Sequence, residues 1–207
     1  MHALFQRHFA ACPLVAIIRG VRPEEAEAVG DAIFEAGIRI IEVPLNSPEP
    51  LKSIEKLARR LGDRALIGAG TVLQVQQVAQ VQSAGGQLIV SPNTNAEVIQ
   101  ASVVAGMVSC PGYFTPSEGF AAIAAGAHAL KLFPAEAATP AVVKAQRAVL
   151  PKDVPILVVG GVKSDHMAPW LEAGANGFGL GSGLFKPGDS SAQVLENARA
   201  FVAALTR

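Results

Sequence analysis

The chain has 207 residues, half of them hydrophobic, with 17 Lys plus Arg against 17 Asp plus Glu. That length can bury a substantial core, and the even scatter of basic residues excludes the electrostatic footprint of a nucleic-acid binder. Two cysteines, Cys12 and Cys110, are too few for a disulfide framework and fit a reducing cytoplasm.

Residues 2–10 read as a short amphipathic helix. His2, Arg7 and His8 interrupt the apolar run before "FAACPL" (9–14), so the segment falls short of the roughly 7–15 apolar residues of a secretory signal. "PLVAII" (13–18) reads as the first strand. "PEEAEAVGDAIFEAG" (23–37) follows as a helix, with a proline and two acids suited to its N-terminus and Gly37 suited to its C-cap. From Gly37 onward an Ala-Gly pair followed by an apolar run recurs: "AGIRIIEVPL", "AGGQLIVSPN", "AGMVSCPGYF", "AGAHALKLFP" and "AGANGFGLGS". The glycines are 37, 85, 106, 126 and 174, and each 48-residue gap holds one more run, "ALIGAG" (65–70) or "PILVVGG" (155–161). Helical patterns fill the intervals at 48–61, 74–84, 95–105, 115–125, 139–149, 164–173 and 190–205.

Eight strand–helix units at a spacing of roughly 20–25 residues call for a repeat architecture. Apolar runs alternating with helices make a parallel sheet, and eight of them predict an α/β fold of the closed (β/α)8 TIM-barrel type, near its lower size limit. A leucine-rich solenoid would need a ladder of leucines and asparagines that the repeats lack. No linker divides residues 1–207, so a single domain with a short N-terminal helix is expected. No apolar stretch reaches the ~18 residues of a membrane span, which predicts a soluble, cytoplasmic protein with no membrane partner.

The polar residues of the strands collect at their C-terminal ends: Arg19, Glu42, Thr71, Pro92 with Asn93, Pro111, Lys131, Gly160 with Gly161, and Gly181 with Ser182. Barrel enzymes build their sites on that face. Lys131 stands among Ala129, Leu130, Leu132 and Phe133, and lysine is rarely buried unless paired. Strand alternation aims Ile40 with Glu42, and Ala129 with Lys131, into the barrel, so the two charged side chains can meet across its mouth. One reading is a structural salt bridge, which is weak evidence for stability because desolvating two ions costs several kcal/mol each. The other is catalytic: a lysine of lowered pKa forms a Schiff base with a carbonyl, and a carboxylate beside it shuttles protons.

"VVGGVKSDH" and "GLGSGLF", after the last two strands, suit phosphate binding through glycine N–H groups and a following helix N-terminus. Arg19 suits a bidentate carboxylate contact, and Thr71 offers a hydroxyl. There is no Walker or G-x-G-x-x-G pattern, which disfavours nucleotides. The four histidines join no carboxylate cluster of ligand spacing, so no metal site is expected. Cys110 reads as a small core residue.

"IEVPLNSP", "IGAGTVL", "QLIVSPN", "CPGYFTPSE", "ALKLFPA" and "VGGV", in order along nearly the whole chain, resemble the 2-keto-3-deoxy-6-phosphogluconate and 6-phosphogalactonate aldolases. The resemblance implies Lys131 as Schiff-base lysine and Glu42 as general acid/base. It implies Arg19 and Thr71 as holders of the pyruvate carboxylate, with Pro92 and Phe133 lining the pyruvate pocket. Gly160, Gly161, Gly181 and Ser182 would hold the phosphate. The gluconate branch usually carries Glu-Val-Thr-Leu-Arg-Thr after strand 2 and a threonine before the double glycine; this chain has "EVPLNS" (42–47) and Val159. Both departures resemble the phosphogalactonate branch, and Val159 lacks a hydroxyl for a substrate hydroxyl, which bears on discrimination at C4. The implied reaction cleaves a phosphorylated 2-keto-3-deoxy sugar acid to pyruvate and D-glyceraldehyde 3-phosphate with no organic cofactor or metal, and the family analogy implies a homotrimer. Two rivals are a phosphosugar isomerase or epimerase on the same barrel, which would form no imine, and a non-catalytic phosphosugar sensor.

Overall fold

The computed structural model describes residues 2–205. Among them are nine parallel strands and nine α-helices, alternating except where β5 runs directly into β6. The strands are β1 (Leu14–Ile17), β2 (Ile40–Pro44), β3 (Leu66–Gly70), β4 (Leu88–Val90), β5 (Val108–Cys110), β6 (Gly112–Tyr113), β7 (Leu130–Leu132), β8 (Ile156–Val159) and β9 (Gly177–Leu180). The helices are α1 (Ala3–Ala11), α2 (Ala26–Ala36), α3 (Pro50–Leu61), α4 (Val75–Ser83), α5 (Ala96–Val104), α6 (Pro116–Ala124), α7 (Pro140–Arg147), α8 (Ala168–Glu172) and α9 (Ser191–Ala204).

The sheet order is β5-β4-β3-β2-β1-β9-β8-β7-β6. β5 and β6 are consecutive, so the two edges of that order are the two halves of one run. The fifth apolar run was expected as a single strand; Pro111 splits it. A proline has no N–H to give a ladder, yet its carbonyl still accepts the Lys131 N–H at 2.9 Å. Across the split, the Gly112 N–H reaches the Ser91 carbonyl at 2.9 Å and the His128 N–H reaches the Ser109 carbonyl at 2.9 Å. These bonds tie both neighbours to the run and close the barrel. Only glycine fits at 112, because a Cβ there would collide with the carbonyl of Pro92.

Helix ends follow the local chemistry. Gly37 terminates α2 in the left-handed region (φ 110°) and returns its N–H to Ile33 and Phe34. Thr115 and Glu118 form a reciprocal capping box at α6, with Pro116 in its first turn. The helix expected over 164–173 is instead a three-residue 3-10 turn (Ser164–His166) followed by α8, whose first turn contains Pro169. Proline tolerates the start of a helix and not its interior, so the helix begins late.

Two apolar cores result. One lies between strands and helices; the other fills the barrel, where Val15, Ile17, Ile40, Leu88, Val108 and Leu157 pack with Phe5 of α1. Phe5, 1% exposed, thus gives the interior an apolar plug and ties the N-terminal helix to the barrel. No helix of the described residues is long and apolar enough to cross a membrane.

Candidate active site

The register of the strands decides which side chains enter the barrel. Ile17 pairs with Glu42, Glu42 with Gly68, and Gly112 with Lys131, which pairs onward with Leu157. Residues in register on parallel strands share a face. Glu42 and Lys131 therefore point inward, and they line one cavity with Cys110, Val159 and Gly179. Both sit within their strands, deeper than the rim, at 1% and 6% exposure.

The structural salt bridge, one of the two readings of this pair, is not formed. Among the described residues no ion pair joins Glu42 to Lys131, and Glu42 Oε2 has no hydrogen-bond partner. The Lys131 amine lies instead 4.8 Å from the centroid of the Phe133 ring. Space for the carboxylate comes from Gly70, where a Cβ would collide with both Glu42 oxygens.

Burial sets the electrostatics. Desolvation raises the Glu42 carboxyl from its ordinary 4.5 to about 7, against the opposing pull of the Lys131 and Arg19 charges. Desolvation likewise lowers Lys131, with Glu42 and Cys110 opposing and Arg19 adding to the fall. The cavity thus favours an uncharged amine beside a carboxyl poised near neutrality. Such opposed shifts in one cleft are the mark of acid–base and nucleophilic chemistry. Burial pushes the Cys110 thiol up to about 12, Lys131 opposing, so it stays protonated. Cys110 was read as core, and it is; that it also walls this cavity was missed, although its place two residues past inward Val108 carried the signal.

The remaining predicted residues lie at or past the C-terminal ends of strands. Arg19 follows β1, is exposed, and donates from Nη1 to Asn46 Oδ1 at 2.5 Å. Thr71 follows β3 with φ 57°, a left-handed conformation that costs an L-residue about 1–2 kcal/mol and is an outlier for a β-branched one. Its neighbours hold it there: the Val72 N–H reaches the Val90 carbonyl at 3.2 Å and Ser91 Oγ donates to the Val72 carbonyl at 2.7 Å. Strain retained at a rim of this kind points toward function. Pro92 and Phe133, both half-buried, follow β4 and β7. Val159 ends β8 and lines the cavity.

Gly160 and Gly161 turn the chain after β8 with φ of 116° and 62°. Gly181 follows β9 with open space where a Cβ would sit, and Ser182 is exposed. A three-residue 3-10 turn follows the first loop where a helix was expected from residue 164, whereas α9 starts at Ser191, within one residue of its expected start and well past the second loop. Pro169 in the first turn of α8 accounts for the one late start, and Pro187-Gly188 occupies the turn before α9. Any anion there relies on backbone N–H groups and the Ser182 hydroxyl, without a helix dipole. One neighbour was not foreseen: Glu136, in the loop after β7, packs on the double glycine and fills the space of a Gly160 Cβ. No pattern within residues 134–137 betrayed that contact.

Two of the histidines have structural settings. His128 Nδ1 accepts the Ser109 N–H at 3.1 Å, and His8 is buried in α1. Among the described residues no group of three or more His, Cys, Asp and Glu side chains is arranged to hold a metal ion.

A family model described as "KDPG and KHG aldolase" matches residues 6–197. Over 192 residues the chain is 48% identical to the 2-dehydro-3-deoxy-6-phosphogalactonate aldolase of Escherichia coli (strain K12), covering 93% of this chain and 94% of that one. It is 50% identical over 192 residues to a probable 2-dehydro-3-deoxy-6-phosphogalactonate aldolase of Rhizobium meliloti (strain 1021), covering 93% and 91%. A solved structure described as native KDPGal superposes with a TM-score of 0.92 at 47% identity, covering 94% of each chain.

Proposed function

Because this chain belongs to the KDPG and KHG aldolase family, we propose that it is a class I aldolase acting on 2-dehydro-3-deoxy-6-phosphogalactonate. The products are pyruvate and D-glyceraldehyde 3-phosphate, and the reaction is reversible. The observation that carries the reading is the buried, unpaired Lys131 amine sharing one cavity with a Glu42 carboxyl near neutrality.

In the forward direction the Lys131 nitrogen adds to the C2 ketone, and loss of water gives a protonated imine. Glu42, through a water, takes the proton of the C4 hydroxyl. The C3–C4 bond breaks with its electron pair drawn into the iminium, so glyceraldehyde 3-phosphate leaves and an enamine remains. Protonation at C3 and addition of water then release pyruvate and restore the amine. Arg19 and Thr71 hold the substrate carboxylate, Pro92 and Phe133 line the pyruvate pocket, and Gly160, Gly161, Gly181 and Ser182 hold the phosphate. The scheme uses no metal and no organic cofactor.

Preference for the galactonate epimer is assigned to Val159, whose apolar side chain faces the cavity. Lacking a hydroxyl, it offers no hydrogen bond to the C4 group of the gluconate epimer. The same reading makes residues 1–207 one catalytic domain working in the cytoplasm, as two free buried cysteines support, and assembled as a homotrimer.

The test has two arms. Borohydride added with pyruvate should fix a mass adduct on Lys131; an adduct elsewhere, or none, overturns the imine and leaves an isomerase or epimerase. Steady-state cleavage of the two C4 epimers should favour the galactonate form by about tenfold or more, and Val159→Thr should narrow the ratio. An equal or reversed ratio in the native protein overturns the substrate while leaving the aldolase.

Gly70→Ala gives an independent check on Glu42. The added methyl displaces the carboxylate, and a small misplacement of a reacting group costs roughly 100-fold in rate. The expected result is a fall of that order in kcat with pyruvate trapping on Lys131 retained.

A further inference from the structure

We propose that Asn46 is a positioning residue: its side-chain amide aims the Arg19 guanidinium at the substrate carboxylate while leaving the positive charge uncompensated. The inference rests on the reading of Arg19 as the carboxylate-binding group.

The two residues sit on adjacent loops. Arg19 lies two residues past the end of β1, and Asn46 two past the end of β2, strands that pair directly. A long exposed arginine on such a rim ordinarily samples many rotamers, and fixing it costs up to about 2 kcal/mol of side-chain entropy. Here one contact restrains it, Nη1 to Asn46 Oδ1 at 2.5 Å. Among the described residues no carboxylate forms an ion pair with it.

Asn46 is itself held by its loop. The Leu45 N–H reaches the Gly70 carbonyl at 2.8 Å and the Ser47 N–H the Pro44 carbonyl at 2.9 Å. Buried Ser47 then accepts the Gly20 N–H on its Oγ at 2.9 Å, tying the backbone beside Arg19 to the same loop. Gly20 bends there at φ 84°, with Pro187 against it. "NS" (46–47) therefore forms a two-point clamp, one point on the chain next to Arg19 and one on its guanidinium.

The choice of a neutral acceptor is the informative part. A guanidinium has five N–H donors; the amide oxygen engages one nitrogen and carries no charge. A carboxylate in the same place would take the guanidinium in a strong charge-assisted, often bidentate pair and compete with the incoming substrate carboxylate. Asn46 fixes direction without competing. Arg19's charge also reaches the centre, since it acts on both Glu42 and Lys131.

The experiment measures borohydride inactivation against pyruvate concentration in the intact protein and its variants. Asn46→Ala should raise half-saturating pyruvate about 3- to 10-fold, the loss of one hydrogen bond. Asn46→Asp, of nearly the same size, should raise it more, about 10- to 100-fold, because the new carboxylate captures Arg19. In both, the limiting inactivation rate should stay near the native value. Acetone, a ketone with no carboxylate, should trap equally well in the native protein and Asn46→Ala, and in Asn46→Asp it should shift far less than pyruvate does. If acetone and pyruvate shift together, or Asn46→Asp leaves pyruvate saturation unchanged while Arg19→Met raises it, the positioning role is overturned. If Arg19→Met itself leaves pyruvate saturation unchanged, the carboxylate reading fails, and the role of Asn46 with it.

Discussion

Lys131→Met is expected to abolish turnover and at the same time make the protein harder to unfold. The loss follows from the proposed imine: methionine has no nitrogen to add to the C2 ketone, and removal of a covalent nucleophile costs on the order of 10⁴-fold or more. The gain follows from burial. Lys131 is 6% exposed and lies in no ion pair, so at neutral pH its amine gives up hydration that the unfolded chain would restore. Its folded-state pKa lies below the ordinary 10.5. A lysine lowered in this way contributes stability that is present above 10.5 and lost as pH falls through the folded value. Methionine keeps length and apolar contact while removing that penalty, and the expected stabilisation at pH 7 is about 1–3 kcal/mol. The advantage should shrink as pH climbs toward 10.5, where the unfolded lysine also loses its proton. Urea denaturation of both proteins at pH 7 and pH 10, beside steady-state rates, checks the pair of claims. Retained turnover would remove Lys131 from the chemistry; a destabilised variant would show that the amine has a partner that holds it.

Lys131 and Glu42 were legible because each breaks a rule of its own strand, a charge where alternation and apolar neighbours demand a core residue. Strand alternation also fixed their facing, since it needs only a count of two along the chain. It says nothing about separation. Whether two inward groups touch depends on barrel radius and on competing neighbours, and here the Phe133 ring, not a carboxylate, stands beside the amine. The Ala-Gly repeats gave the units because glycine closes helices such as α2 in the left-handed region, a local requirement. The split of the fifth run was likewise written in Pro111, but its consequence, two half-strands serving different neighbours, emerges only from the closed ring. Asn46 and Glu136 were illegible for a different reason: their partners stand 27 and 24 or 25 residues away, across loops whose course depends on the whole barrel.

Burial outweighs the Lys131 charge in setting the Glu42 carboxyl, and Glu42→Gln exploits this. Glutamine keeps the shape and removes the proton exchange, so kcat should fall about 10²- to 10⁴-fold, while Lys131 still traps pyruvate under borohydride. In the native protein the base must be ionised to accept the C4 hydroxyl proton, so kcat for cleavage should rise as pH passes about 7, the value to which burial lifts Glu42. That limb should vanish in the variant. Stability should move the opposite way. Glu42 titrates at about 7 folded against an ordinary 4.5; between these values the folded state holds the extra proton, so the stabilising contribution is full below 4.5 and is lost as pH rises through 7. At about 1.4 kcal/mol for each tenfold change in proton affinity, the displacement from 4.5 to about 7 corresponds to roughly 3 kcal/mol. Glutamine carries no such loss, so the variant should gain on the native protein by that amount between pH 4.5 and 7.5, read as diverging denaturation midpoints. A variant that keeps the pH limb of kcat assigns the proton transfer to another group. Midpoints that stay parallel across the window place a solvated carboxylate at 42 and remove the raised carboxyl on which the expected pH limb near 7 depends.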